Sequence, residues 1–73
     1  MTHYTRADLA TADRHITMSE RHIASQELVL TGLRMRGQDT EIAEALLSAF
    51  NVSMVEHRAH RAAIIHALEQ AAL

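Results

Sequence analysis

Six histidines in a chain of 73 residues are the side chains best suited to chemistry. Imidazole binds zinc, copper, nickel or haem iron and carries protons near neutral pH. His15 and His22 lie seven residues apart in the segments Asp-Arg-His-Ile and Glu-Arg-His-Ile, and His57 and His60 lie three residues apart. Two antiparallel helices would bring these groups together, so one hypothesis is a divalent transition-metal site made of His15, His22, His57 and His60.

The known signatures of metal and catalytic sites are missing from the sequence. Neither the His-Glu-x-x-His motif of zinc proteases nor the Glu-x-x-His motif of di-iron bundles occurs, and the absence of cysteine excludes thiolate ligands. Ser19, Glu20 and His57 could be drawn as a hydrolase cluster, but two smooth helices offer no oxyanion hole or concave pocket. We therefore predict a protein that is not an enzyme, with metal binding as the alternative function.

Apolar residues recur with heptad spacing along both halves of the chain. In the first half they return every seven residues, and a second series three positions later is apolar at its two ends, Ala12 and Leu33. In the second half the seam positions alternate at spacings of three and four, and most of them are apolar. This pattern is typical of the a and d positions of long helices that pack side by side. The predicted core seam consists of Leu9, Ile16, Ile23, Leu30, Leu33, Leu47, Phe50, Met54, Ile64 and Leu68.

Capping residues and one glycine predict where the helices begin and end. The segment from Thr5 to Asp8 fits a capping box, Gly37 fits a helix C-terminus, and Asp39 or Thr40 fits the cap of a second helix. The predicted helices cover about 6–36 and 40–71 of a single domain, 1–73, with a flexible N-terminus at 1–4. The short turn makes them antiparallel, so the predicted fold is an all-α helical hairpin.

The apolar stripe is wider than a single partner helix can cover. Ile42, Leu46, Val55 and Ile65 broaden it on either side of the seam. A chain of this length is also near the lower limit for folding alone. We therefore expect a homodimer that forms a four-helix bundle and acts as a protein–protein interaction module. A larger assembly or a different protein partner meets the same need less simply.

Polar residues interrupt the middle of the predicted seam. With the turn centred on residue 38, His57 comes opposite Ser19, and Arg61 comes opposite His15. The predicted polar layer consists of Ser19, Gln26, His57 and Arg61. One interpretation is that it fixes the helix register and the oligomeric state, as buried polar residues do in coiled coils. The other is a ligand, metal or proton site in the core of the bundle.

Charge and hydropathy argue against two classes of partner. The net charge is −2, and acidic residues are interspersed among the arginines that could contact nucleic acid, namely Arg14, Arg21, Arg58 and Arg61. No apolar run reaches the roughly 18–20 residues of a membrane span, and the first residues lack the apolar segment of a signal peptide. We expect a cytoplasmic protein that binds neither membranes nor nucleic acid.

Several short segments between residues 13 and 65 carry a family resemblance. They are Asp-Arg-His-Ile, Glu-Arg-His-Ile, the Gly-x-Asp-Thr turn, Leu-Leu-x-x-Phe and His-x-x-His-Arg. Over about three quarters of its length the chain resembles short hypothetical bacterial proteins. The resemblance implies a two-helix hairpin and no particular activity. Within the pattern, His57, His60 and Arg61 are the positions whose spacing coiled-coil packing does not require.

Overall fold

The computed structural model describes residues 3–72 and contains two helices, α1 (Arg6–Met35) and α2 (Glu41–Ala71). The helices run side by side in opposite directions and form a rod of 57 × 16 × 13 Å. The predicted all-α antiparallel hairpin is therefore confirmed, with boundaries one residue away from those expected at the turn. Part of the predicted flexible N-terminus, residues 1 and 2, lies outside the described residues. Between residues 3 and 72, neither helix contains a stretch that is both long and apolar enough to cross a bilayer.

The capping box predicted at the start of α1 is present. The backbone N–H of Asp8 donates to the Thr5 hydroxyl at 3.2 Å, and the Thr5 backbone N–H donates to the Asp8 carboxylate at 2.8 Å. These two bonds satisfy donors that the first helical turn otherwise leaves without partners. The negative carboxylate also lies at the positive end of the helix dipole.

We expect the Thr5→Ala substitution to lower the free energy of unfolding by about 1 kcal/mol, because it removes the side-chain acceptor of the cap. Urea unfolding followed by circular dichroism at a fixed protein concentration measures the change. Thr31→Ala is the matched control, since the Thr31 hydroxyl bonds only the Glu27 carbonyl inside the helix and alanine is favourable there. Equal stability of wild type and Thr5→Ala would contradict a stabilising cap.

The turn follows the geometry predicted at Gly37. Its φ of +68° lies in the left-handed region, which glycine adopts without strain. The Gly37 N–H donates to the Arg34 carbonyl at 3.1 Å, and the Gln38 N–H donates to the Leu33 carbonyl at 2.9 Å, which completes a Schellman motif. Thr40 is the N-cap residue of α2 and makes no side-chain capping bond, whereas the carboxylate of the preceding Asp39 accepts the Glu41 N–H at 3.1 Å.

The predicted core seam lies between the two helices. Ile64 is fully buried, and Leu30 and Met54 are nearly so. The other seven predicted seam residues are half-buried. Two alanines, Ala12 and Ala43, complete the buried set. Most seam residues keep partial exposure because each helix has only one neighbour to cover it.

The contacts between the helices are displaced by two to four positions from the predicted register. His57 meets His15, where Ser19 was expected, and Arg61 meets Asp13, where His15 was expected. A register counted from the middle of a turn is good only to a few positions, since the turn residues must also cross the gap between the helix axes. The shift leaves all ten predicted seam positions at least half-buried, because both helices carry the same heptad spacing.

Candidate functional site

Two grooves run along opposite flanks of the seam, and they share no residue. The charged groove is lined by Asp13, Ile16, Thr17, Glu20, Arg58, Arg61, Ala62, Ile65, His66 and Glu69. The histidine groove is lined by His15, Met18, Ser19, His22, Ser25, Gln26, Val29, Phe50, Ser53 and His57. Five of the ten residues in the first set are acids or arginines, whereas the second set contains none. The hairpin therefore has one groove rich in charged residues and one groove lined without acids or arginines.

The ion pairs between the helices have exposed partners. Arg61 pairs with Asp13 in the charged groove, and Arg34 pairs with Glu44 at 3.0 Å near the turn. The side chains of Asp13, Arg34 and Glu44 are each more than half exposed. Water therefore screens both pairs, and each contributes between about 0 and 1 kcal/mol. They favour the observed antiparallel alignment without providing much of its stability.

We expect a double-mutant cycle of Arg61→Met and Asp13→Asn to give a coupling free energy below about 1 kcal/mol, falling further in concentrated salt. Methionine retains most of the aliphatic stem, so the cycle isolates the charge. Chemical denaturation of the four proteins measures it. Arg58→Met with Asp13→Asn is the control cycle, since Arg58 lines the same groove and forms no ion pair within residues 3–72. A coupling above about 2 kcal/mol would indicate a buried network instead.

Three ring pairs cross the seam along the flank of the histidine groove. The rings of Tyr4 and His60 meet edge to face with centroids 5.7 Å apart. The rings of His15 and His57 are 5.5 Å apart and tilted by 51°. Toward the turn, the ring of His22 lies 5.7 Å from that of Phe50. His60 belongs to this flank because it lies one heptad after Ser53, which lines the groove.

The four histidines of the predicted metal site are thus spread over three levels of one flank. Only His15 and His57 contact each other, while His22 and His60 each pack against an aromatic ring. Seven residues of helix separate His15 from His22 by about 10.5 Å. Within residues 3–72 of one chain, no three His, Cys, Asp or Glu side chains are placed to hold a metal ion together. A single chain brings one pair of imidazoles, those of His15 and His57, into contact.

The predicted polar layer is half-buried at all four positions, and its members divide between the two flanks. Ser19 and His57 line the histidine groove, whereas Arg61 faces Asp13 in the charged groove. Gln26 reaches across the seam and donates its amide N–H to the Ala43 carbonyl at 3.0 Å. A cross-helix bond to backbone of this kind favours one register, which supports the structural interpretation of Gln26.

The hydrolase cluster drawn from the sequence is not assembled in the hairpin. Ser19 and His57 both line the histidine groove, but Glu20 lines the charged groove on the other flank. The carboxylate is therefore not placed to orient the imidazole toward the hydroxyl, as a triad requires.

Exposed apolar side chains lie beside the ring pairs. Met18 and Val29 line the histidine groove and are 52% and 50% exposed. Leu46, one heptad before Ser53, extends the same flank and is 44% exposed. The width of the apolar stripe predicts Leu46 but not Met18 and Val29, because these two lie beside the seam positions of α1. Val29 directly precedes the seam residue Leu30, and Met18 comes two positions after the seam residue Ile16. A count of apolar residues at these flanking positions would have found both.

Comparison with known proteins gives no matching family model and no significantly similar curated protein or solved structure.

Proposed function

We propose that this chain is a non-enzymatic dimerisation and protein–protein interaction module. Two hairpins pack through their histidine grooves and form a four-helix bundle. The observation that carries the proposal is the contrast between the grooves, since one is lined by uncharged and partly apolar residues while the other is lined by acids and arginines. An uncharged, partly apolar surface of this kind suits the interface of a symmetric helical dimer.

The exposed area of the single hairpin supports association. The chain exposes 5594 Å² of accessible surface, whereas a globular monomer of 8.1 kDa exposes about 4,500 Å². Its radius of gyration is 16.7 Å, against roughly 11 Å for a compact domain of this length. The excess of about 1,100 Å² exceeds the roughly 800 Å² that each partner buries in a standard interface. A second copy on one flank would remove this excess.

The free-energy cost of desolvation differs between the two grooves and favours burial of the histidine groove. Covering the charged groove would remove water from Glu20, Arg58 and Glu69, which form no ion pair within residues 3–72. Burial of the histidine groove does not carry this cost of desolvating charged groups, because imidazole can be buried in its neutral form. The exposed apolar surfaces of Met18, Val29 and Leu46 would contact the second copy and no longer contact water. The histidine groove is therefore the favoured interface.

Native mass spectrometry of untagged protein tests the proposal. We expect a mass of two chains at micromolar concentration, and sedimentation velocity should show the same species in solution. A monomer at every concentration would overturn the proposal, since the apolar flank would then lack a second copy as its cover.

A further inference from the structure

We infer that the dimer holds one divalent transition-metal ion between the His15–His57 pairs of its two copies. The inference rests on the proposed dimer, because the site needs ligands from both chains. The ion belongs to the borderline-soft class that imidazole prefers, with zinc as its typical member. Nothing else on the hairpin brings two imidazoles together, among the residues that the structure describes.

The distance between the two rings fits shared coordination. Zinc lies about 2.0–2.1 Å from an imidazole nitrogen, and the ring centre lies roughly 1.1 Å behind that nitrogen. Two imidazoles on one tetrahedral ion therefore have ring centroids about 5.2 Å apart. The centroids of His15 and His57 are 5.5 Å apart. Their tilt of 51° is not the parallel arrangement of stacked rings and leaves both free to turn toward a common ion.

One chain supplies half of a structural site. Structural zinc sites are closed by four protein ligands, and a single hairpin offers two at this level. No third His, Cys, Asp or Glu joins them within residues 3–72. The missing ligands must come from the second copy, and a twofold dimer supplies an identical pair.

A twofold axis that runs along the hairpin brings the two pairs together. When two flanks meet face to face, the axis lies in the interface and runs either along the hairpin or across it. An axis along the hairpin places every level against the same level of the partner. An axis across the hairpin does so only at the level that it crosses, and the pair is central in only one helix, since His57 is the seventeenth of the 31 residues of α2 and His15 is the tenth of the 30 residues of α1. The site therefore requires an axis along the hairpin, or an axis that crosses it at the level of His15 and His57.

The surroundings of the pair suit a bound ion. Ser19 and Ser53 line the same groove, and a serine hydroxyl oxygen can accept a hydrogen bond from the second ring nitrogen of a ligating imidazole. Met18 and Phe50 flank the pair with apolar surface that would exclude water in the dimer. The groove thus offers ligands, candidate supporting groups and an apolar wall at one level.

Cobalt(II) titration tests the inference with the metal alone as the probe. We expect native mass spectra of a dimer carrying one cobalt ion, the intense visible absorption of tetrahedral cobalt, and a rise in melting temperature that zinc also produces. His15→Ala and His57→Gln should abolish all three. His15 is exposed in the hairpin, so its replacement leaves the fold intact. His66→Ala is the matched control, because His66 lines the charged groove, and it should retain full binding.

The outcomes separate the failure of the site from the failure of the dimer. A wild-type dimer that binds no cobalt would overturn the metal site and leave the dimer standing. A monomer with and without cobalt would overturn both. Binding of one ion per chain, or binding retained in His15→Ala, would also overturn the inference, because each shows ligands other than a shared pair.

Discussion

Replacing Leu46 by glutamate is expected to convert the dimer into a folded monomer. Leu46 is 44% exposed in the free hairpin, so the charge is tolerated there. In the proposed dimer the same position faces the second copy, and an unpaired buried carboxylate costs several kcal/mol. A loss of about 3 kcal/mol or more raises the dissociation constant at least roughly 100-fold. Sedimentation velocity over a concentration series measures the shift, and circular dichroism checks that the helices persist.

Val55→Glu is the matched control for this substitution. Val55 is 69% exposed and lies one heptad before Ala62, which lines the charged groove. The same change of side chain on the opposite flank should leave the dimer intact. If Val55→Glu dissociates the dimer and Leu46→Glu does not, the interface is the charged flank and the proposed packing is wrong.

The choice of Leu46 depends on the structure. Ile23 and Leu47 are prominent in the sequence, and a charge at either would be the first mutation suggested by the heptad pattern alone. Both are half-buried in the seam inside one hairpin. A charge there would unfold the hairpin, and loss of the dimer would follow without information about the interface.

Ile64→Ala is expected to destabilise the hairpin by about 2–5 kcal/mol, because the substitution leaves a cavity at the most buried position. Ile64 is 0% exposed. A domain of this length has a total stability of roughly 4–11 kcal/mol, so the loss is a large share of it. Urea unfolding monitored by circular dichroism measures the change at one fixed protein concentration.

Leu28→Ala is the control for the core substitution, since Leu28 is 75% exposed. We expect a change within about 0.5 kcal/mol, as is usual for exposed positions. Similar losses for the two variants would show that Ile64 is not the centre of the core or that Leu28 is covered in the assembly.

Local rules account for the elements of the fold that the sequence predicts. The Thr5–Asp8 capping box, the left-handed Gly37 and the heptad spacing are each properties of a few neighbouring residues, and all three are confirmed. The relative position of the two helices is not a local property. It depends on how the chain crosses the turn, and the contacts predicted from a turn at residue 38 were therefore off by two to four positions.

The candidate site likewise combines features that the sequence predicts with features that depend on how the helices pack. The sequence identifies histidine as the residue type of interest and places His15, His22, His57 and His60 on facing helices. Which of them meet depends on the register, and a shift of one turn decides that His57 contacts His15. The concentration of acids and arginines in one groove was also missed, because it appears only when flanking positions from both helices are combined.

The most direct test of the proposed dimer is an isotope-filtered NOE experiment on a mixture of methyl-labelled and unlabelled chains. It detects contacts between copies without any mutation. The account predicts intermolecular NOEs from the methyl groups of Met18, Val29 and Leu46, and none from Val55 or Ile65. Intermolecular NOEs confined to Val55 and Ile65, or a complete absence of them, would contradict packing through the histidine groove.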